Sequence, residues 1–205
     1  PAPAYGGRSL PNVSATILRA LGIGPSEGPP VVPPLSDGLD PFDGRPPTGT
    51  ILLLLVDGFG WFPFSAWSRR SRAGPARAWG DRARPITTVF PSTTVSALTS
   101  LSTGTTPAQH GIVGPNLYLP RLDAVVDVLR MARVESAGRE ELVDAAWRPS
   151  DVSGAASLFR RGLVGTTVTR HAFARTGFNR ILYDGAEFVG YATASDLAHV
   201  LADVL

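Results

Sequence analysis

The chain contains no cysteine and no lysine; all 19 of its basic residues are arginine. Without Cys there is no thiol nucleophile, no disulfide and no thiolate ligand for zinc. Without Lys there is no Schiff-base amine and no P-loop lysine to cradle a nucleotide's phosphates. Histidine is scarce as well, limited to His110, His171 and His199. Any nucleophile must therefore be a Ser or Thr hydroxyl or a carboxylate, and metal ligands must come from Asp, Glu and those imidazoles. No apolar run reaches the roughly 18 residues that a membrane-spanning helix needs. The opening PAPAYGGRSLPN lacks the charged-then-apolar pattern of a secretion signal. These absences point to a cytoplasmic protein with no membrane partner. The chain opens on Pro1 rather than Met, which leaves room for residues upstream.

What remains suffices for a core. Of 205 residues, 43% are hydrophobic and 18% charged, the balance of one folded domain rather than a disordered chain. The net charge is only +2. Arginine is densest over residues 68–85, SRRSRAGPARAWGDRARP. No recognition motif or array of base-stacking aromatics accompanies it, so a solvated face is expected and no nucleic-acid partner. Trp61, Trp67, Trp79 and Trp147 read as core or interface aromatics.

Residues 12–21, NVSATILRAL, place Val13, Ile17, Leu18 and Leu21 on one helical face, with Asn12 or Ser14 as N-cap and Gly22 as the stop. Residues 24–49 carry eight prolines, too many for a regular element, and read as an extended surface connector. The organisation expected is an N-terminal helix and connector over 1–49, then a catalytic domain from residue 50. Residues 51–56 (ILLLLV) are aliphatic without polar alternation, the pattern of a strand buried on both faces in a parallel sheet. Asp57-Gly58 ends it. Residues 61–67 begin a helix. Residues 86–90 (ITTVF) form a second strand, broken by Pro91. From Thr93 or Thr94, TTVSALTSLSTG makes a short helix that Gly104 stops.

Residues 122–130 fit a helix or a strand. A helix is expected over 151–161, capped by Ser150 and closed by Gly162, then strands over 163–168, 180–183 and 187–191, and a capped helix over 195–205. Alternating strands and helices imply an α/β fold with a mainly parallel sheet. The last helix ends on Val204-Leu205 with no strand after it, so the chain reads as truncated at its C-terminus.

Thr94 sits where chemistry is easiest to build. A helix N-terminus offers unpaired N–H groups and the positive end of a dipole, which together favour a phosphoryl anion. A free hydroxyl is a poor nucleophile until a base or metal activates it. Asp57, expected on the same sheet edge, is the nearest sensible metal ligand.

VDGFGW followed by ITTVFPSTTVSALTSLSTGTTPAQHGIVG resembles the type I phosphodiesterase/nucleotide pyrophosphatase family of the alkaline phosphatase superfamily. The resemblance implies an alkaline-phosphatase-like three-layer α/β/α sandwich. It also implies metal-dependent hydrolysis of a phosphodiester or nucleotide pyrophosphate through a phosphothreonine. Thr94 would be the nucleophile, Asp57 and Thr94 ligands of one ion, and two zinc-like divalent ions the cofactors. The substrate would be a small phosphodiester or nucleotide. The segment from Gly104 to His110-Gly111-Ile112-Val113 matches a structural part of the family, and His110 reads as a hydrogen-bonded structural residue.

Two departures stand out. Many family members carry Asn three residues after the nucleophile, where this chain has Ala97, with Asn116 a distant substitute. The Asp-x-x-x-His and Asp-His patterns of the second half are absent; Asp196 and His199 are spaced D-x-x-H, and His171 stands beside Arg170. The competing reading is therefore a catalytically silent fragment that binds or associates. A sulfatase is disfavoured for want of Cys or a fitting Ser motif, whereas phosphomonoester or phosphonate hydrolysis remains open.

Overall fold

The computed structural model describes residues 2–24, 30–71, 73–143 and 147–205, which form two compact units. The smaller comprises Thr48–Ile86 and the larger Pro1–Pro47 with Thr87–Leu205.

In the larger unit, α1 (Leu10–Ala20) starts two residues before the expected point. Ser9 is the N-cap, and Asn12 instead occupies the third helical position, where its Oδ1 accepts from the Ser9 N–H at 2.7 Å. The Asn12 Nδ2 donates to the carbonyls of Tyr5 and Pro33, both at 2.7 Å, which satisfies a fully buried amide. At the other end Gly22, with φ +70°, donates to Arg19 O while Ile23 N–H donates to Leu18 O. That pair of bonds is the Schellman stop, so Gly22 ends the helix as expected.

The proline-rich stretch is no plain surface linker over its described part. Val32 N–H donates to Gly104 O at 2.9 Å and Leu35 N–H to Thr16 Oγ1 at 2.8 Å. Val32 and Leu35 are buried. Prolines keep the segment extended, and the donors between them bond to α1 and to the end of the next helix.

That helix, α4 (Thr94–Thr103), packs on α1. Ser96, Thr99, Ser100, Ser102 and Thr103 are all buried, and such small side chains let backbones approach: Ser14 Oγ on α1 donates to Leu101 O. A short α5 (Pro107–His110) follows. Then β1 (Asn116–Leu119), β2 (Ala124–Asp127) and β3 (Ala132–Arg133) form an antiparallel sheet in the order β1-β2-β3. The ambiguous 122–130 segment is thus a strand at its centre, where Ala124 and Val126 are buried and Val125 is exposed, the period-2 alternation of a sheet with one wet face.

Farther on, β4 (Thr166–Arg170) and β5 (Glu187–Tyr191) pair in parallel through α6 (Gly177–Tyr183), and α7 (Ala194–Val204) packs against both strands. The expected strand at 180–183 is instead the end of α6. Thr176 caps that helix by accepting from Asn179 N–H, and Phe178, Ile181 and Leu182 recur at helical spacing on its buried face. The expected helix over 151–161 is absent. Its backbone donors are taken by neighbours instead, Gly154 N–H by His110 O at 2.9 Å and Leu158 N–H by Ser102 O at 2.8 Å. The main core gathers Val95, Ile112, Val128, Met131, Trp147, Phe178, Ile181 and Leu182, joining α4, α6 and the loops around the antiparallel sheet.

The smaller unit is a helical hairpin, α2 (Trp61–Arg70) and α3 (Pro75–Arg82). The helices meet where Gly80 lies against Ser68; a Cβ on Gly80 would stand 1.6 Å from Ser68 Oγ. Phe59, Phe64, Trp67 and Trp79 stack in sequence at centroid distances of 5.9 to 6.3 Å. Residues 51–56 do not form the expected buried strand. They have no ladder partner among the described residues, and Leu52 to Val56 are 46 to 61% exposed. A uniformly aliphatic run signals burial on two faces only when flanking strands supply the bonds, and none does so among the described residues. Residues 86–90 likewise make one parallel bridge, Ser9 to Thr87, rather than a strand.

The described residues thus give a mixed α/β architecture of helices and two small sheets. No helix among them is long and apolar enough to cross a membrane.

Candidate active site

The N-terminus of α4 separates two adjacent threonines by role. Thr93 is the N-cap; its Oγ1 accepts from Ser96 N–H at 3.4 Å and shares a 2.8 Å hydrogen bond with Ser96 Oγ. A hydroxyl tied up in a cap is a poor candidate for chemistry. Thr94 is the first helical residue, exposed, and its hydroxyl makes no hydrogen bond among the described residues. The N–H groups of Thr94 and Val95 likewise have no acceptor there, while Ala97 N–H closes the first turn on Thr93 O at 2.9 Å. Two free N–H groups and one free hydroxyl at the positive end of the helix form an anion-binding corner.

The corner is held from below. Val95, 1% exposed, anchors the first turn in the core, and Gly104, at φ +69°, closes the other end of α4. Ahead of it Phe90-Pro91 is cis, and Phe90 N–H donates to Tyr5 Oη at 3.2 Å. The sequence alone leaves the cap open between Thr93 and Thr94. The distinguishing feature is the Ser96 hydroxyl, which bonds to the Thr93 side chain besides the cap from its N–H, whereas Ala97, the matching position for a cap at Thr94, offers no side-chain partner. Ala97 is half-buried on α4, and Asn116 is exposed on β1 opposite Asp127.

Asp57 lies in the smaller unit, exposed, in the turn after residues 51–56. Its Oδ1 accepts the N–H of Gly58, whose φ of +70° suits glycine. Asp57 and Thr94 belong to different units. Among the described residues no group of three or more Asp, Glu or His side chains could hold a metal ion. One exposed carboxylate and one hydroxyl do not fit a two-metal centre by themselves, since such a site needs several ligands per ion.

The histidines have other work. His110 is fully buried at the end of α5. Ile112 N–H donates to its Nδ1 at 3.0 Å, which requires an unprotonated Nδ1, and Nε2 lies 2.9 Å from Ser100 Oγ. The ring is therefore the neutral Nε2–H tautomer. Burial pushes its pKa down to about 4, with the Ser96 carbonyl pulling the other way. It staples α5 to α4, the structural role expected of it. His171 and His199 are exposed. Asp196 forms a reciprocal capping box with Thr193 at the start of α7, so the D-x-x-H spacing belongs to a helix start.

No curated protein and no solved structure matches this chain. The family model for type I phosphodiesterase / nucleotide pyrophosphatase matches residues 51–189, well over half of the chain and a span that includes both Asp57 and Thr94. On that match the chain belongs to the type I phosphodiesterase/nucleotide pyrophosphatase family.

Proposed function

We propose that the chain, over residues 50–205, is part of a catalytic domain that hydrolyses a phosphodiester or nucleotide pyrophosphate bond with Thr94 as nucleophile. The observation that carries this reading is the free Thr94 hydroxyl at the first position of α4, next to the unbonded N–H groups of Thr94 and Val95. Those N–H groups bind the phosphoryl oxygens and orient phosphorus towards Thr94 Oγ1. Attack forms the Oγ1–P bond, breaks the bond from phosphorus to the leaving oxygen, and releases the hydroxyl proton to water. Water then attacks phosphorus, breaks the Oγ1–P bond and restores the hydroxyl. Thr93 positions the helix end without touching substrate.

The complete domain in this reading is the three-layer α/β/α sandwich of the superfamily, to which β4, β5 and their helices contribute. Asp57 would ligate one of two zinc-like ions, which when bound would lower the hydroxyl's pKa and neutralise the leaving oxygen. The ligand set among the described residues is too small to route any step through a metal.

That shortage favours a second reading, a catalytically silent member that binds or associates. Elemental analysis separates the two, because two tightly held ions per chain contradict the silent reading. Replacing Thr94 by Ala tests the first: hydrolysis of bis(4-nitrophenyl) phosphate should fall by about 10³-fold or more, and an unchanged rate sinks the assignment.

A further inference from the structure

A cleft of about 680 Å³ opens between the 147–157 loop and α6, and no residue of the α4 N-terminus lines it. Its volume lies within the range of small-molecule sites. Arg148, Arg160 and Arg180 line it together with Trp147, Ile181 and Asp184. Three arginines and one aspartate are among its lining residues, and that aspartate's carboxylate is already committed. Arg160 grips Asp184 as a fork, Nε to Oδ2 at 2.9 Å and an Nη to Oδ1 at 3.0 Å. Neither Arg148 nor Arg180 has a carboxylate partner among the described residues.

The walls are fixed before any ligand arrives. Arg180 lies over the Trp147 ring, 4.6 Å from its centroid, and donates to the Trp147 carbonyl at 3.4 Å. Stacking on a ring that is itself 8% exposed orders the guanidinium and spares much of the entropy a ligand would otherwise cost. Ser157, 2% exposed, donates to the Asp184 carbonyl at 2.5 Å and accepts from Arg160 N–H at 3.2 Å, which holds the far wall.

Excess positive charge, planar donor forks and an apolar flank of Ile181 and Trp147 suit one ligand chemistry. Guanidinium forks match the oxygens of a phosphate group, and the apolar side accommodates a small organic body. We infer that this cleft is a second site, separate from Thr94, that binds a small phosphate-bearing molecule through Arg148 and Arg180.

Calorimetric titration with inorganic phosphate and with phenyl phosphate tests this, using the whole chain. Arg148, Arg180 and Asp184 lie outside the α4 N-terminus, so a change in binding on substituting them reports on the cleft and not on the catalytic reading. The double variant Arg148→Ala/Arg180→Ala should bind about tenfold more weakly or worse, with its thermal melt recorded to confirm folding. Asp184→Asn removes the repelling carboxylate and should bind about threefold more tightly, a gain that misfolding cannot produce. Tighter binding of phenyl phosphate assigns the site to organic phosphates, and equal binding to free phosphate. Wild-type affinity in the double arginine variant, or an Asp184→Asn variant no tighter than wild type, overturns the inference.

Discussion

Acidification should weaken the fold through one side chain, His110, whose pKa is near 6.5 when unfolded and about 4 when buried. A base with a depressed folded pKa is neutral in the native state while the unfolded chain takes up a proton, so stability rises with pH across that interval. The contribution is fully present above pH 6.5 and is lost as pH falls towards 4. At 1.36 kcal/mol per pKa unit the whole interval is worth about 3 kcal/mol. The geometry supplies the reason: protonating Nδ1 would set a new hydrogen against the Ile112 N–H. The carboxylates act elsewhere. Burial works to raise Asp40 and Asp127, but backbone N–H donors with Arg19 and Arg130 outweigh it, and Thr193 lowers Asp196. All three fall below 3.8, so the stability they contribute is present above that pH and lost beneath it, outside the histidine window. Urea denaturation at half-unit steps from pH 4 to 7 reads the slope directly. His110→Gln is less stable throughout but should lose the slope. Parallel curves for wild type and variant would refute the reasoning.

Three further expectations follow from the same contacts. Thr93→Ala removes the α4 cap and should cost about 1 kcal/mol in chemical denaturation, whereas Thr93→Ser should cost far less. Thr99 is fully buried and its Oγ1 has no partner among the described residues; Thr99→Val should therefore stabilise the chain by about 1 kcal/mol, read as a raised denaturation midpoint. Gly80→Ala forces a Cβ into Ser68 Oγ and should part α2 from α3, seen as loss of the near-ultraviolet dichroism of the Phe59–Trp79 stack.

What could be read from the residues was mostly local. Gly22, Gly104 and the Thr-initiated helix at 94 are specified by caps, which depend on neighbours within a turn. Residues 187–191 and 195–205 were legible for the same reason, a short β-branched or aromatic run and a capped amphipathic stripe. Residues 51–56 misled because their pattern describes an environment, two flanking strands, that the described residues do not provide. The segment 180–183 misled because Ile-Leu-Tyr suits either state, and Thr176, four residues upstream, decides it. The loop at 151–161 has helix-compatible residues whose donors are claimed by His110 and Ser102, contacts of long sequence separation. At the candidate site the turn and helix start could be read locally, whereas the choice of Thr93 as cap emerged only from the Ser96 bonds.

The central claim is that Thr94 Oγ1 accepts the phosphoryl group. Mixing the protein with bis(4-nitrophenyl) phosphate, quenching in acid and mapping the modified peptide by mass spectrometry tests it most directly. The account predicts a peptide carrying a 4-nitrophenylphosphoryl group on Thr94, absent from Thr94→Ala. Turnover without that adduct, or an adduct on Thr93 or Ser92 that survives Thr94→Ala, would contradict it.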